Sequence, residues 1–249
     1  MPDYWEQPPP ASLARWIECA WCLSSDTPVD AHRVPPDGCL DIVYDRRNGL
    51  RAIGTMTVEQ RFAFPGGAAV TGIRFRPGMA RSFLGVRPAE LTNLSAPLED
   101  LWSRRARDLQ QQLDDARSIQ QAMAILLGAL PAPANVDPVQ QAIEALSRAN
   151  GSADLDSTAC QANLSPRQFR RRCLDESGLT PKHLCRVLRF RHACRMASAA
   201  AQPNWSEIAL AAEYYDQAHL IRDFHEFTGL APMAVFSKTR ARRPASIES

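Results

Sequence analysis

Residues 164–193 read LSPRQFRRRCLDESGLTPKHLCRVLRFRHA. Ser165-Pro166 is a helix start: the serine hydroxyl can take an orphan N–H, and proline at the first helical position gives up nothing. Upstream, Leu155–Ala162 is short and helical in pattern, and Asn163-Leu164 leaves room only for a tight turn. Asparagine tolerates the left-handed conformation that such a turn between helices needs. In the helix Pro166–Glu176, Phe169 and Cys173 fall inward at i, i+4, which leaves Arg167, Arg170 and Arg171 on the open side.

The same logic recurs at residues 205–236, WSEIALAAEYYDQAHLIRDFHEFTGLAPMAVF. Asn204 caps, and Glu207 stands three residues on, a capping-box spacing. The helix Trp205–Ala212 leads to a turn at Glu213-Tyr214-Tyr215, and a second helix starts at Asp216 with Leu220, Phe224 and Phe227 inward. Gln217, Ala218, Ile221 and Arg222 face out. Gly229 ends this helix, and Pro232 opens a last short one.

Between the two repeats runs a predicted helix, Pro181–Ala199, with Leu184, Val187 and Leu188 as its inner stripe and Lys182, Arg186 and Arg189 along one side. Nineteen residues at about 1.5 Å each span about 28 Å, compatible with two reading helices about 34 Å apart on one face of a duplex. The window 165–195 holds nine basic residues against Asp175 and Glu176, whereas residues 1–130 carry 14 Arg against 15 acidic residues. A local field of this kind suits a polyanion; a solvated helix face is the plainer reading of the same charges.

The chain has 249 residues, 45% of them hydrophobic and 22% charged, and no apolar run of eighteen. That length suits two modest domains; the composition excludes disorder and a spanning helix. The beginning MPDYWEQPPP lacks an apolar signal core, and seven cysteines at this length fit reduced thiols rather than a disulfide scaffold, so a cytoplasmic, bacterial-type protein is expected. Pro, Ala and Asn at 131–135 form the linker between a first domain, 1–130, and a second, 136–243, with a tail at 244–249. Strand-like runs at Cys39–Tyr44, Arg51–Met56 and Ala69–Phe75, bracketed by turn signals, precede a helical stretch Pro97–Leu130. The second part carries no strand signal and opens with an amphipathic helix, Val136–Ala149. The expected fold is an α+β domain followed by an all-α domain of two helix-turn-helix units joined by a linker helix.

Residues 136–243 resemble the tandem helix-turn-helix DNA-binding domain of AraC/XylS-family transcription regulators, and the two quoted segments carry the resemblance. Residues 5–130, through Pro35-Pro36-Asp37-Gly38-Cys39, Gly72-Ile73-Arg74-Phe75-Arg76-Pro77-Gly78 and Leu98-Glu99-Asp100-Leu101-Trp102, resemble an N-terminal domain of unknown function in one subgroup of that family. The resemblance implies double-stranded DNA as partner, a first domain that senses a ligand or mediates dimerisation, and an activator in preference to a repressor. RNA polymerase and a small-molecule effector are further candidate partners of a monomer or homodimer. The first recognition helix would use Arg167, Arg170 and Arg171, with Ser165, Pro166 and Gln168 at its leading end. Arginine is the commonest bidentate reader of guanine, though each of the three could equally hold only a phosphate. The second would use Gln217, Ala218, Ile221 and Arg222 behind the cap Asp216. Gln217 suits adenine, and Ala218 and Ile221 suit a thymine methyl unless Ile221 is buried. His219 reaches a phosphate or is a plain surface residue; Lys182 and Arg186 are weaker phosphate contacts. Glu213 departs from the family, which has a glycine at that turn position.

Cys19, Cys22 and Cys39, with His32, invite a metal or thiol-sensor reading, set against a packed core in which Cys19 and Cys22 share a helical face with Trp16. The core reading is preferred, with no metal and no cofactor. A cysteine-based repair or sensing protein for alkylated DNA is the enzymatic alternative, but no Pro-Cys-His nucleophile motif, phosphate loop or hydrolase elbow is present, so no enzyme is expected. An effector-independent architectural DNA-binding protein is the third reading, disfavoured by a 130-residue neutral module that binding alone does not need. Trp21, Tyr44, Phe62, Phe64 and Phe75 could line a pocket or simply fill the first core, so the ligand-binding residues stay unknown at this point.

Overall fold

The computed structural model describes residues 3–133 and 135–240. The expected tail 244–249, the end of the second domain at 241–243 and Ala134 of the linker lie outside the described residues.

The first part is built on strands β1 (Asp3–Gln7), β2 (Ile17–Ser25), β3 (Val29–Val34), β4 (Leu40–Asp45), β5 (Gly49–Ile53), β6 (Gln60–Phe64), β7 (Ala68–Phe75) and β8 (Ser95–Pro97). Six form one antiparallel sheet in the order β1-β2-β7-β4-β5-β8, and β3 pairs antiparallel with β6 as a separate two-stranded sheet. Period-two alternation gives the sheet two unlike faces. The register aligns Ala20, Ile73, Ile42 and Ala52 in one buried row. That face packs on helices α1 (Arg81–Leu84), α2 (Glu99–Trp102), α3 (Arg104–Asp114) and α4 (Ile119–Gly128) through Phe83, Leu109, Leu113, Met123 and Leu126. On the opposite face, Cys19, Arg74, Asp41 and Ile53 form one row and Trp21, Gly72, Val43 and Arg51 the next. Gly72 lies directly beneath Trp21: a Cβ there would stand 2.7 Å from the indole Cζ2. Any side chain would lift the ring off the sheet.

The segment around Cys19 and Cys22 is therefore corrected: it is strand β2, not a helix. Both faces of β2 are covered, so seven of its nine residues are buried and the alternation that reveals a strand is absent from its sequence. A spacing of three places Cys19 and Cys22 on opposite faces, where they cannot share a ligand. Among the described residues no three Cys, His, Asp or Glu side chains stand together as a metal site.

The second part is helical: α5 (Pro138–Arg148), α6 (Leu155–Gln161), α7 (Pro166–Ser177), α8 (Pro181–Ala199), α9 (Trp205–Ala211), α10 (Gln217–Thr228) and α11 (Pro232–Arg240). The fold is thus an α+β unit followed by an all-α unit. Phe190 of α8 meets Phe224 and Phe227 of α10 edge-on, with centroids 4.8 and 5.1 Å away. All three rings are fully buried, each worth about 1.5–3 kcal/mol of apolar burial. Among the described residues no helix is long and apolar enough to cross a membrane.

The two units meet along the trailing ends of α7 and α10. Arg81 Nη1 bonds Glu176 Oε1 at 2.6 Å, and Thr92 Oγ1 donates to the carbonyl of Gly178 at 3.0 Å. On the other side, Arg33 Nη2 donates to the carbonyl of Thr228 at 3.0 Å, and the Glu59 N–H donates to that of Phe227 at 2.7 Å. Arg191 of α8 pairs with Glu18 of β2 between them. At Gly78, whose φ is +75°, a Cβ would sit 2.7 Å from Ile143 Cδ1, so the loop after β7 rides directly on α5.

Candidate nucleic-acid interface

Two turns of one geometry shape the site. Between α6 and α7, Asn163 adopts φ 55°, its N–H bonds the Cys160 carbonyl at 2.9 Å, and the Leu164 N–H bonds that of Ala159 at 2.9 Å. Between α9 and α10, Glu213 adopts φ 56°, its N–H bonds the Leu210 carbonyl at 3.1 Å, and the Tyr214 N–H bonds that of Ala209 at 2.9 Å. The second turn keeps the left-handed shape without a glycine. A non-glycine residue there costs about 1–2 kcal/mol, and glycine returns about 0.5–1 kcal/mol through the entropy of the unfolded chain. Glu213→Gly is accordingly expected to raise the unfolding free energy by about 0.5–1 kcal/mol. Chemical denaturation checks it; an unchanged midpoint would mean that the glutamate side chain compensates for its backbone.

The caps fix where α7 and α10 begin. Ser165 Oγ accepts from the Gln168 N–H, and Gln168 Oε1 accepts in return from the Ser165 N–H at 2.9 Å, a full capping box with Pro166 at the first position. Asp216 Oδ1 accepts from the His219 N–H at 2.6 Å. Asn204 Oδ1 accepts from the N–H groups of Ser206 and Glu207, and its amide donates to Glu207 Oε1. Each cap is worth about 1 kcal/mol, and each commits its side chain to the helix end.

On α7 the structure leaves Pro166, Arg167, Gln168, Arg170 and Arg171 exposed above the buried Phe169 and Cys173. No ion pair among the described residues engages Arg167, Arg170 or Arg171, whereas Arg172 on the flank is bound to Asp137. On α10, Gln217, Ala218 and Arg222 are exposed. His219 is half-buried with its ring edge-on to Tyr214 at 5.2 Å, and Ile221 is half-buried against the second core. Gln217 Oε1 accepts from Ser206 Oγ at 2.8 Å, a bond that engages its oxygen and not its amide nitrogen. Lys182 is exposed at the start of α8. Arg186 is not available in the same way: its guanidinium bonds Asp223 and Glu226 of α10 and lies over the Phe227 ring.

Two large exposed side chains that the sequence reading gave no role lie on these helix-turn-helix elements. Tyr215, in the turn before α10, is 93% exposed, and Leu210, at the end of α9, is 79% exposed. Adjacent tyrosines look alike in sequence, but only Tyr214 turns into the core.

Burial raises six of the seven thiols. Burial pushes Cys173 and Cys194 up to about 12 and Cys185 to about 11. In the first unit it pushes Cys19 to about 12 and Cys22 to about 11, and it raises Cys39 well above the ordinary thiol value. A nucleophilic thiol needs the opposite shift, so the alkyl-transfer alternative is not favoured.

Residues 158–238 match a helix-turn-helix domain family and residues 6–97 match a domain of unknown function, DUF6597. The first match is AraC-type and spans both turns, α7 and α10. Residues 158–238 are thus an AraC-type helix-turn-helix domain, the DNA-binding type of a transcription regulator. No curated protein matches the chain. Among solved structures, the DNA-binding domain of AdpA, described as a global transcriptional factor in complex with a target DNA, is 24% identical over 45% of this chain and all of its own, with a TM-score of 0.41. A DNA-binding transcriptional dual regulator from Escherichia coli K-12 is 15% identical over 45% of this chain and all of its own, at 0.37. Apo ToxT K231A from Vibrio cholerae is 11% identical over 95% of this chain and 96% of its own, at 0.44.

Proposed function

We propose that this AraC/XylS-type chain is an effector-responsive, sequence-specific regulator that sets α7 and α10 into successive major-groove turns and performs no catalysis. One observation carries this most directly: two helix-turn-helix units with superposable turn hydrogen bonds each present an outward helix, and α7 presents three arginines held by no carboxylate among the described residues. Arg167, Arg170 and Arg171 read guanine edges or hold phosphates in the first unit. Gln217, Ala218, Ile221 and Arg222 contact bases in the second, with Ser165, Pro166, Gln168, Asp216 and His219 at the leading ends. Lys182 supplies a phosphate contact, while Arg186 secures α10 from behind.

In this reading residues 1–130 are the regulatory unit, 131–135 the linker and 136–243 the DNA-binding unit of a cytoplasmic protein. It acts as a monomer or homodimer and influences RNA polymerase from its site. Purified full-length protein on fragmented genomic DNA is expected to recover a few discrete sites, each spanning about two helical turns. Uniform, salt-sensitive binding without enriched sites would sink specific readout and favour the architectural role.

A further inference from the structure

Where the first unit meets α5 and α8, a notch of about 460 Å³ opens at the seam. Two arginines, Arg15 and Arg76, and one glutamate, Glu18, line it from the first unit. Three arginines, Arg148, Arg191 and Arg195, and one glutamate, Glu144, line it from the second. Glu18 is taken by Arg191. Glu144 Oε2 is shared between Arg15 Nη2 at 3.3 Å and Arg148 Nη2 at 4.0 Å. The other two guanidiniums hold only neutral acceptors. Arg76 Nε donates to the Ala14 carbonyl at 3.0 Å, and Arg195 Nη2 donates to Asn150 Oδ1 at 2.7 Å.

Both walls are therefore positive, and closing the seam sets like charge against like. Nearby, Arg74 faces Asp37 and Asp41, which offsets only one of the three surplus charges. The backbone holds the walls in place all the same: the Arg76 N–H donates to the Trp16 carbonyl at 2.8 Å, and Gly78, two residues on, rests against Ile143 of α5. None of the described residues lining the notch is aromatic, so it has no face on which a ring would stack. What it presents is a set of guanidinium forks, whose paired donors match the oxygens of a phosphate. The first unit holds the trailing ends of α7 and α10, so this seam is distinct from the leading ends of those helices.

We infer that this notch binds a small, multiply charged phosphate compound, held by Arg76 from the first unit and Arg195 from the second. Arg15, Arg148 and Arg191 complete its surroundings. The bound anion neutralises both walls at once and fastens the two units to each other. The site goes beyond the DNA-binding reading and stands or falls separately from it.

Calorimetry and thermal melting of the full-length protein without DNA, at about 0.15 M salt, test this with inorganic pyrophosphate as probe and benzoate as a singly charged anion. Pyrophosphate is expected to bind and to raise the melting temperature, and benzoate to do neither. Arg76→Ala and Arg195→Gln, on opposite walls, should each weaken the probe by about tenfold or more. Without the probe both variants should melt where the unchanged protein does, which confirms that they fold. Replacing Arg167, Arg170 and Arg171 by alanine should leave the probe's affinity as it was. Ribose 5-phosphate separates the two sources of the same chemistry: tighter binding than pyrophosphate assigns the notch to a phosphorylated organic molecule, and weaker binding assigns it to free pyrophosphate. Absence of pyrophosphate binding, indifference to either wall variant, or loss of binding through the α7 arginines would each overturn the proposal.

Discussion

Arg186→Met is expected to lower the unfolding free energy by about 3–5 kcal/mol and to abolish recognition by the second helix-turn-helix unit. Asp223 is 1% exposed, inside the core beneath α10. Its Oδ1 accepts from Arg186 Nε at 3.2 Å and Nη2 at 2.7 Å. The same guanidinium binds Glu226 toward solvent, and that pairing holds the Glu226 carboxyl below its ordinary range. Methionine keeps most of the stem that packs by Phe227 but leaves a buried carboxylate unpaired. A double variant, Arg186→Met with Asp223→Leu, removes both charges and should recover most of the loss, because the stranded charge rather than the missing pair is the dominant cost. Urea denaturation of the three proteins decides the matter. A single-variant loss below about 1 kcal/mol would mean that water reaches Asp223 and that the pair behaves as a surface one.

Replacing Arg167, Arg170 and Arg171 together by alanine is expected to weaken specific binding at least about a hundredfold. Each base-reading arginine is worth about 1–3 kcal/mol, and about 1.4 kcal/mol is a factor of ten. The fold should be untouched, since these side chains are exposed and hold no ion pair among the described residues; surface changes of this kind stay within about 0.5 kcal/mol. Titrations at several salt concentrations separate the roles. An arginine that only holds phosphate reduces the salt slope by about one and weakens random DNA equally, whereas a base reader spares random DNA. Undiminished affinity would remove α7 from the interface.

The helical unit was legible in its sequence because its punctuation is local. Ser165, Pro166, Asp216 and Gly229 act within one helical turn of themselves, and the 3.6 period alone turns Arg167, Arg170 and Arg171 outward. The sheet was less legible. β4 and β7 announce themselves between turn signals, but β2 is apolar on both faces and reads as well for a helix. β3 meets β6 across a long connection that no local signal marks. Arg186 and Arg172 illustrate the same limit inside the site. Each looks like its outward neighbours, and only carboxylates 37 and 35 residues away draw them out of the solvent face.

The grip of the first unit on α7 and α10 bears on how such proteins could be recombined. Glu176 meets Arg81, and the Thr228 carbonyl meets Arg33, across the seam between the halves. A chimaera that joins this first unit to another protein's helix-turn-helix unit would inherit one side of each contact without its counterpart. Glu176 is nearly buried, so a graft lacking Arg81 would strand a carboxylate at the end of α7. Residues at the seam must travel as matched sets, and Arg81, Arg33 and Glu59 belong with the helix ends they hold rather than with the sheet that carries them.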